Sequence, residues 1–97
     1  MNQVATTPEQ ALAAKIAVKL NQLGWPETGG PLTPRPHAEH VVCNELYSVS
    51  VGPHCRTVLF WEKRGKLRHK FMDEHQAIDA DYRAAWIAVE FLDWARS

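Results

Sequence analysis

Four prolines and three glycines fall between Gly24 and Pro36 and divide this chain of 97 residues into two parts of different character. Proline lacks a backbone N–H and fixes its φ angle, so the stretch forbids a long helix and discourages a central strand. We therefore expect a long Pro/Gly-rich loop over residues 24–44. Within it, His37 to Cys43 could form either a short helical turn or an edge strand.

The residues before this loop carry a strong helix-start signal. Thr7 and Gln10 have capping-box spacing, and Pro8 suits the first helical position. Apolar residues then recur every three or four positions, and Gly24 is expected just beyond the helix end. These apolar positions are Leu12, Ile16, Leu20 and Leu23.

Three strand-like runs follow the loop. They cover residues 46–51, 57–61 and 67–72, and they are rich in β-branched, aromatic and alternating residues. Gly52-Pro53 and Arg64-Gly65 separate them as turn signals. The runs therefore predict a three-stranded antiparallel meander.

The last segment predicts a second helix that is apolar on two sides. Asp73 and Gln76 offer a capping box near its start. Its main stripe consists of Ile78, Tyr82, Ala85, Val89 and Leu92. Ile87, Phe91 and Trp94 project from the opposite side at 100° per residue. Either the first helix covers this second side, or this side forms the interface of a homodimer or docks onto another protein.

These elements define an α+β fold in the order α-β-β-β-α. Hydrophobic residues make up 45% of the chain, which is enough for one small core. We expect a single domain over residues 1–97, with both helices on one face of the sheet.

The second hairpin decides which residues share a sheet face. If Arg64 and Gly65 form a two-residue loop, Trp61 pairs with Arg68 and Phe60 with His69. The predicted core face then holds Tyr47, Val49, Val51, Val58, Phe60, Leu67 and Phe71. The predicted open face holds Ser48, Ser50, Thr57, Leu59, Trp61, Arg68, Lys70 and Met72. A three-residue loop would shift this register by one and mix the two sets.

Charge is balanced overall but unevenly distributed. The formal net charge is zero, yet residues 56–70 contain six basic residues and one acid. Cations beside an exposed tryptophan suit either a hot spot for a protein partner or a stacking site for nucleic acid. A solvated hairpin in which Trp61 packs against Arg68 is a further alternative. The predicted partner-binding residues are Trp61, Arg68, Lys70, Lys63, Arg64, Lys66 and Leu59.

The leading functional hypothesis is a small non-enzymatic interaction protein, an adaptor or inhibitor, that binds a protein partner through this face. Direct nucleic-acid binding by the same residues is the alternative. No phosphate loop or nucleophile elbow is present, so we predict neither catalysis nor a cofactor. His37, His40, Cys43 and Cys55 resemble a metal set in residue type, but their spacing matches no common zinc module, so no metal is predicted.

The sequence favours a cytoplasmic location and no membrane partner. Residues 1–7 lack the basic flank and apolar run of a secretory signal. No stretch approaches the roughly 18 apolar residues that cross a bilayer. Cys43 and Cys55 are too few for a disulfide framework, and a bond between them is not expected.

Overall fold

The computed structural model describes residues 6–25, 29–65, 67–71 and 79–97, with the backbone alone at positions 67, 69 and 71. Five antiparallel strands form one sheet in sequential order, β1-β2-β3-β4-β5. The predicted α+β fold with two helices and an antiparallel sheet is confirmed, but the prediction of three strands is wrong. The elements are α1 Pro8–Gln22, β1 Thr33–Arg35, β2 Ala38–Cys43, β3 Tyr47–Val51, β4 Thr57–Glu62, β5 Leu67–Phe71 and α2 Ala80–Arg96.

The two additional strands, β1 and β2, lie within the stretch predicted to be a loop. Pro34 is tolerated because β1 is the edge strand, the position in a sheet to which proline is largely confined. A two-residue connection with His37 in the left-handed region, at φ 64°, returns the chain as β2. The segment from His37 to Cys43 therefore forms a strand, but it is the second strand of the sheet and not its edge.

Helix α1 begins and ends as predicted. The Thr7 hydroxyl accepts a hydrogen bond from the Gln10 backbone N–H at 3.1 Å, and the Gln10 side chain accepts one from the Thr7 N–H. Gly24 follows the last turn with φ +96°, a conformation that glycine adopts without strain. Leu12, Ile16 and Leu20 are buried, whereas Leu23 is exposed.

Helix α2 packs the opposite way round from the prediction. Ile87, Phe91 and Trp94 are buried against the sheet, so their assignment to a dimer or docking surface is wrong. Tyr82 and Val89 of the predicted main stripe are exposed instead. The sequence is apolar on both sides of this helix, so its pattern alone cannot choose the buried side. The predicted capping residues Asp73 and Gln76, with Ile78, lie outside the described residues.

Aromatic rings from five positions fill the space between the sheet and the helices. Neighbouring ring centroids lie 5.2–5.9 Å apart, and most pairs meet edge to face. This is the favourable geometry for aromatic rings, whose edges are positive and faces negative. The five residues are Trp25, Tyr47, Phe60, Phe91 and Trp94.

The β4–β5 hairpin has a register shifted by one residue from the one predicted with a two-residue loop. The Gly65 N–H donates to the Glu62 carbonyl at 2.8 Å, and Gly65 has φ +105°, which makes a tight turn. Trp61 pairs with Leu67, so five residues separate this pair. Every pairing is one residue off the predicted register, and positions 67 and 71 lie opposite Trp61 and Thr57. Placing these positions on the core face was therefore wrong.

The shift carries Arg68 and Lys70 to the helix-covered side of the sheet, where they pair with Phe60 and Val58. Lys70 Nζ lies 3.3 Å from Glu90 Oε1 of α2, and Arg68 Nη2 lies 3.7 Å from Glu90 Oε2. Lys70 also lies 4.7 Å from the ring centroid of Trp86. These two cations tie β5 to α2 and do not share a face with Trp61.

An exposed ion pair links α1 to the start of α2, and the titration of its acid can test whether the pair forms. Lys15 Nζ donates to Asp81 Oδ1 at 2.8 Å. This hydrogen bond and the charge of Lys15 lower the pKa of Asp81. The pair's contribution to stability is therefore fully present above the unfolded-state pKa of Asp81 and is lost as pH falls through its folded-state pKa.

We expect Lys15→Ala to raise the pKa of Asp81 towards its ordinary value, measured by NMR titration of the carboxyl carbon. Lys19→Ala should raise it less, because Lys19 acts on Asp81 through charge alone. An Asp81 pKa that Lys15→Ala does not change would contradict this pairing.

Neither described helix has the length and apolar character needed to cross a lipid bilayer.

Candidate interaction surface

One face of the sheet is left uncovered by the helices, and we call it the open sheet face. Alternate residues of the inner strands point to it, because side chains alternate along a strand. The intervening residues, among them Val42, Val49 and Phe60, belong to the core that the helices cover. Among the side chains that the structure describes, the open sheet face consists of Val41, Cys43, Ser48, Ser50, Thr57, Leu59 and Trp61.

Among the described side chains of this face, Trp61 is the large exposed one. It pairs with Ser48, which in turn pairs with Cys43, so a small hydroxyl and a thiol lie beside the indole. Trp61 is 39% exposed, whereas Ser48 is buried and Leu59 is half-buried. The ring therefore has apolar area available to a partner while its neighbours hold it in place.

A shallow depression of about 110 Å³ lies next to the indole. Arg35 from edge strand β1 and Lys63 from the end of β4 contribute to its rim, together with one carboxylate, Glu45. Among the described residues, Arg35 and Lys63 enter none of the ion pairs. The depression thus combines a tryptophan with two available cations and one acid.

Asn44 fixes the wall of this depression. Its Oδ1 accepts hydrogen bonds from the Leu46 and Tyr47 backbone N–H groups at 2.8 and 2.7 Å, and its Nδ2 donates to the Gly30 carbonyl at 2.7 Å. Gly29 packs so closely that an added Cβ would lie 2.9 Å from Asn44 Oδ1. These bonds order the β2–β3 turn before any partner arrives, which reduces the entropy lost on binding.

The tip of the β4–β5 hairpin borders the same depression. The Lys63 N–H donates to the Leu46 carbonyl at 2.8 Å, which ties this tip to the β2–β3 turn. Arg64 Nε lies 3.0 Å from Oε1 of the buried Glu62. Burial first, and then the nearby Glu62 carboxylate, raise the pKa of Tyr47. Arg64 is therefore partly engaged in balancing a buried acid.

The predicted partner-binding residues separate into three groups. Trp61, Leu59, Lys63 and Arg64 lie on or beside the open sheet face. Arg68 and Lys70 lie on the other side, which follows from the hairpin register, and Lys66 is outside the described residues. Sequence reasoning missed Arg35, because β1 was hidden within the proline-rich stretch and its alternation covers only three residues.

A larger depression, of about 470 Å³, opens beside the start of α1. Glu9, His40 and Ser50 line it, a combination that could suggest acid–base chemistry. The Glu9 carboxylate, however, accepts a hydrogen bond from the His54 backbone N–H at 2.7 Å. A hydrogen bond from the backbone N–H of Glu9 itself, and then this bond from His54, lower the pKa of Glu9. Glu9 therefore holds the turn after β3, in which His54 and Cys55 both have positive φ.

The sequence-derived metal set is not assembled. His40 and Cys43 are three residues apart on β2, so their side chains point to opposite faces, and Cys55 is buried in the turn after β3. Within the described ranges, no group of three His, Cys, Asp or Glu side chains could hold a metal ion. Both cysteines are free, and burial raises the pKa of the Cys55 thiol.

The chain matches no protein-family model, no curated protein and no solved structure.

Proposed function

We propose that this protein is a non-enzymatic interaction module that binds an acidic segment of a protein partner across the open sheet face. Trp61 anchors the contact, and Arg35 and Lys63 flank it. The observation that carries the proposal is the half-exposed indole between two cations on a preordered sheet. Tryptophan and arginine are the residues most enriched in the energetic centres of protein interfaces.

The distribution of cations favours a protein partner over nucleic acid. Binding a polynucleotide gains most of its affinity from several phosphate contacts made by one surface. Arg68 and Lys70 lie behind the sheet beside Glu90, and Arg64 is partly engaged by Glu62. With these set aside, Arg35 and Lys63 are the free cations around Trp61 among the described residues, which suits an acidic side chain or two better than a phosphate backbone.

Trp61→Ala is the decisive variant. We expect it to weaken partner affinity at least about 30-fold, or about 2 kcal/mol, because the indole is the central buried anchor of the complex. Affinity capture from the native host with the unmodified chain identifies the partner, and calorimetry with that partner measures the loss. Leu23→Ala is the control, since it removes an exposed apolar side chain at the far end of α1.

Two cation variants test whether Arg35 lies beside Trp61 while the β4–β5 register places Lys70 on the other side of the sheet. Arg35→Ala should reduce affinity by less than about tenfold, mainly through a slower association rate, whereas Lys70→Ala should leave binding unchanged. Equal losses from both cations, together with a steep fall in affinity with added salt, would instead indicate nucleic acid. Capture and affinity that Trp61→Ala does not alter would refute the proposed surface.

A further inference from the structure

The outer side of the helix layer, which faces away from the sheet, carries exposed apolar side chains. Val18, Tyr82 and Val89 are 53%, 60% and 49% exposed. At 100° per residue, Tyr82 and Val89 lie opposite the buried Ile87 and Phe91 on α2. In the described chain, Trp61 is the one large exposed hydrophobic residue that belongs to the sheet.

This surface has both a protruding ring and a groove. The groove, of about 330 Å³, has Ala14 and Val18 among its lining residues, with Lys15, Lys19 and Asp81 around it. Tyr82 follows Asp81 directly on the adjoining helix and extends into solvent. A two-fold axis relates a residue and its contact in both directions, so a ring and a groove on one face can satisfy each other twice.

The charges on this surface also suit a second copy of the same chain. Lys15 and Asp81 already pair within each copy; beyond them, the α1 side supplies Lys19 and the α2 side supplies Asp93. When two copies meet face to face with α1 against the partner's α2, basic positions approach acidic ones. The formal net charge of zero adds no overall repulsion between copies.

The available area fits a weak dimer. Helices of 15 and 17 residues are about 22 and 25 Å long and each about 10 Å wide. Each copy therefore offers roughly 500 Å², which is about 1,000 Å² for the pair and close to the lower limit for specific interfaces.

We propose that two copies of this chain associate through the outer side of their helices, with Tyr82 of each copy entering the Ala14–Val18 groove of the other. The dimer uses the side opposite to the open sheet face, so it does not rest on the proposed function. Tyrosine suits this position because its ring buries a large area at small entropic cost and its hydroxyl can remain bonded at the charged rim.

Sedimentation of the full chain across several decades of concentration tests the association. The wild-type chain should pass from monomer to dimer in about the micromolar range. Val18→Glu and Val89→Glu should each weaken the dimer at least about tenfold, because each replaces an apolar contact with a charge that must be desolvated. Both positions are exposed, so the variants should keep the wild-type circular dichroism and melting temperature. Trp61→Glu, on the opposite side, should dimerise as the wild type does.

A cross-linking experiment tests the arrangement itself. In a Cys43→Ser background, chains with Val18→Cys are mixed with chains carrying Tyr82→Cys and oxidised. The mixed disulfide should form in large excess over either self-linked product, because position 18 meets position 82 across the axis. A wild-type chain that remains monomeric, a dimer lost in Trp61→Glu but kept in Val89→Glu, or equal self-linking of both pools would overturn the proposal.

Discussion

Phe91→Ala is expected to lower the free energy of unfolding by about 3–5 kcal/mol, the usual cost of deleting a fully buried phenylalanine ring. The Phe91 ring lies 5.2–5.7 Å from the rings of Trp25, Tyr47, Phe60 and Trp94, so its loss leaves a cavity that all four border. A domain of this size has about 5–15 kcal/mol of stability in total. Urea denaturation monitored by circular dichroism measures the change.

Tyr82→Ala is the matched control, because it removes a comparable ring from the exposed side of the same helix. At a protein concentration low enough to keep the chain monomeric, it should change stability by no more than about 0.5 kcal/mol. Similar losses for Phe91→Ala and Tyr82→Ala would contradict the observed orientation of α2. A large loss of stability in Tyr82→Ala alone would indicate that α2 has the opposite orientation.

Arg83→Ala is expected to lower the free energy of unfolding by about 2–3 kcal/mol. The Arg83 side chain is buried, and its Nη2 donates to the Cys55 carbonyl at 2.7 Å. Cys55 and His54 occupy the left-handed region, at φ 57° and 59°, which is costly for residues with a side chain. Removing a charged donor leaves a buried carbonyl unpaired beside a strained turn.

Two measurements separate the roles of this arginine. Arg83→Met keeps an apolar stem and should lose less stability than Arg83→Ala, since part of the effect is packing. In a Cys43→Ser background, Arg83→Ala should also speed the reaction of Cys55 with a thiol reagent, because the turn opens more often. Arg56 is exposed, so Arg56→Ala is the control and should alter neither the stability nor the rate of Cys55 labelling. Unchanged stability and labelling in Arg83→Ala would show that the turn does not depend on this contact.

Local signals in the sequence predicted local structure well. The Thr7–Gln10 capping box and the Gly24 helix end depend on residues within a few positions of each other, and both occur as predicted. Residues Tyr47, Val49 and Val51 alternate clearly and are buried as expected.

Features that depend on tertiary packing were not predictable in the same way. The hairpin register rests on the length of one turn, and a difference of one residue moved Arg68 and Lys70 away from Trp61. The buried side of α2 could not be chosen because both sides are apolar. The edge strand β1 was missed because proline argues against strands, yet an edge position removes that objection. The errors in the hairpin register and in β1 changed the candidate site, which lost two cations and gained Arg35.

The two apolar surfaces point in opposite directions, since both helices lie on the same side of the sheet. Copies joined back to back would therefore hold their two indoles at far ends of the assembly. Such a dimer could not place both indoles on one small epitope, so dimerisation would not raise the affinity for a single small partner. It could instead bridge two separate partner molecules, and a partner with repeated binding segments would be cross-linked into larger assemblies.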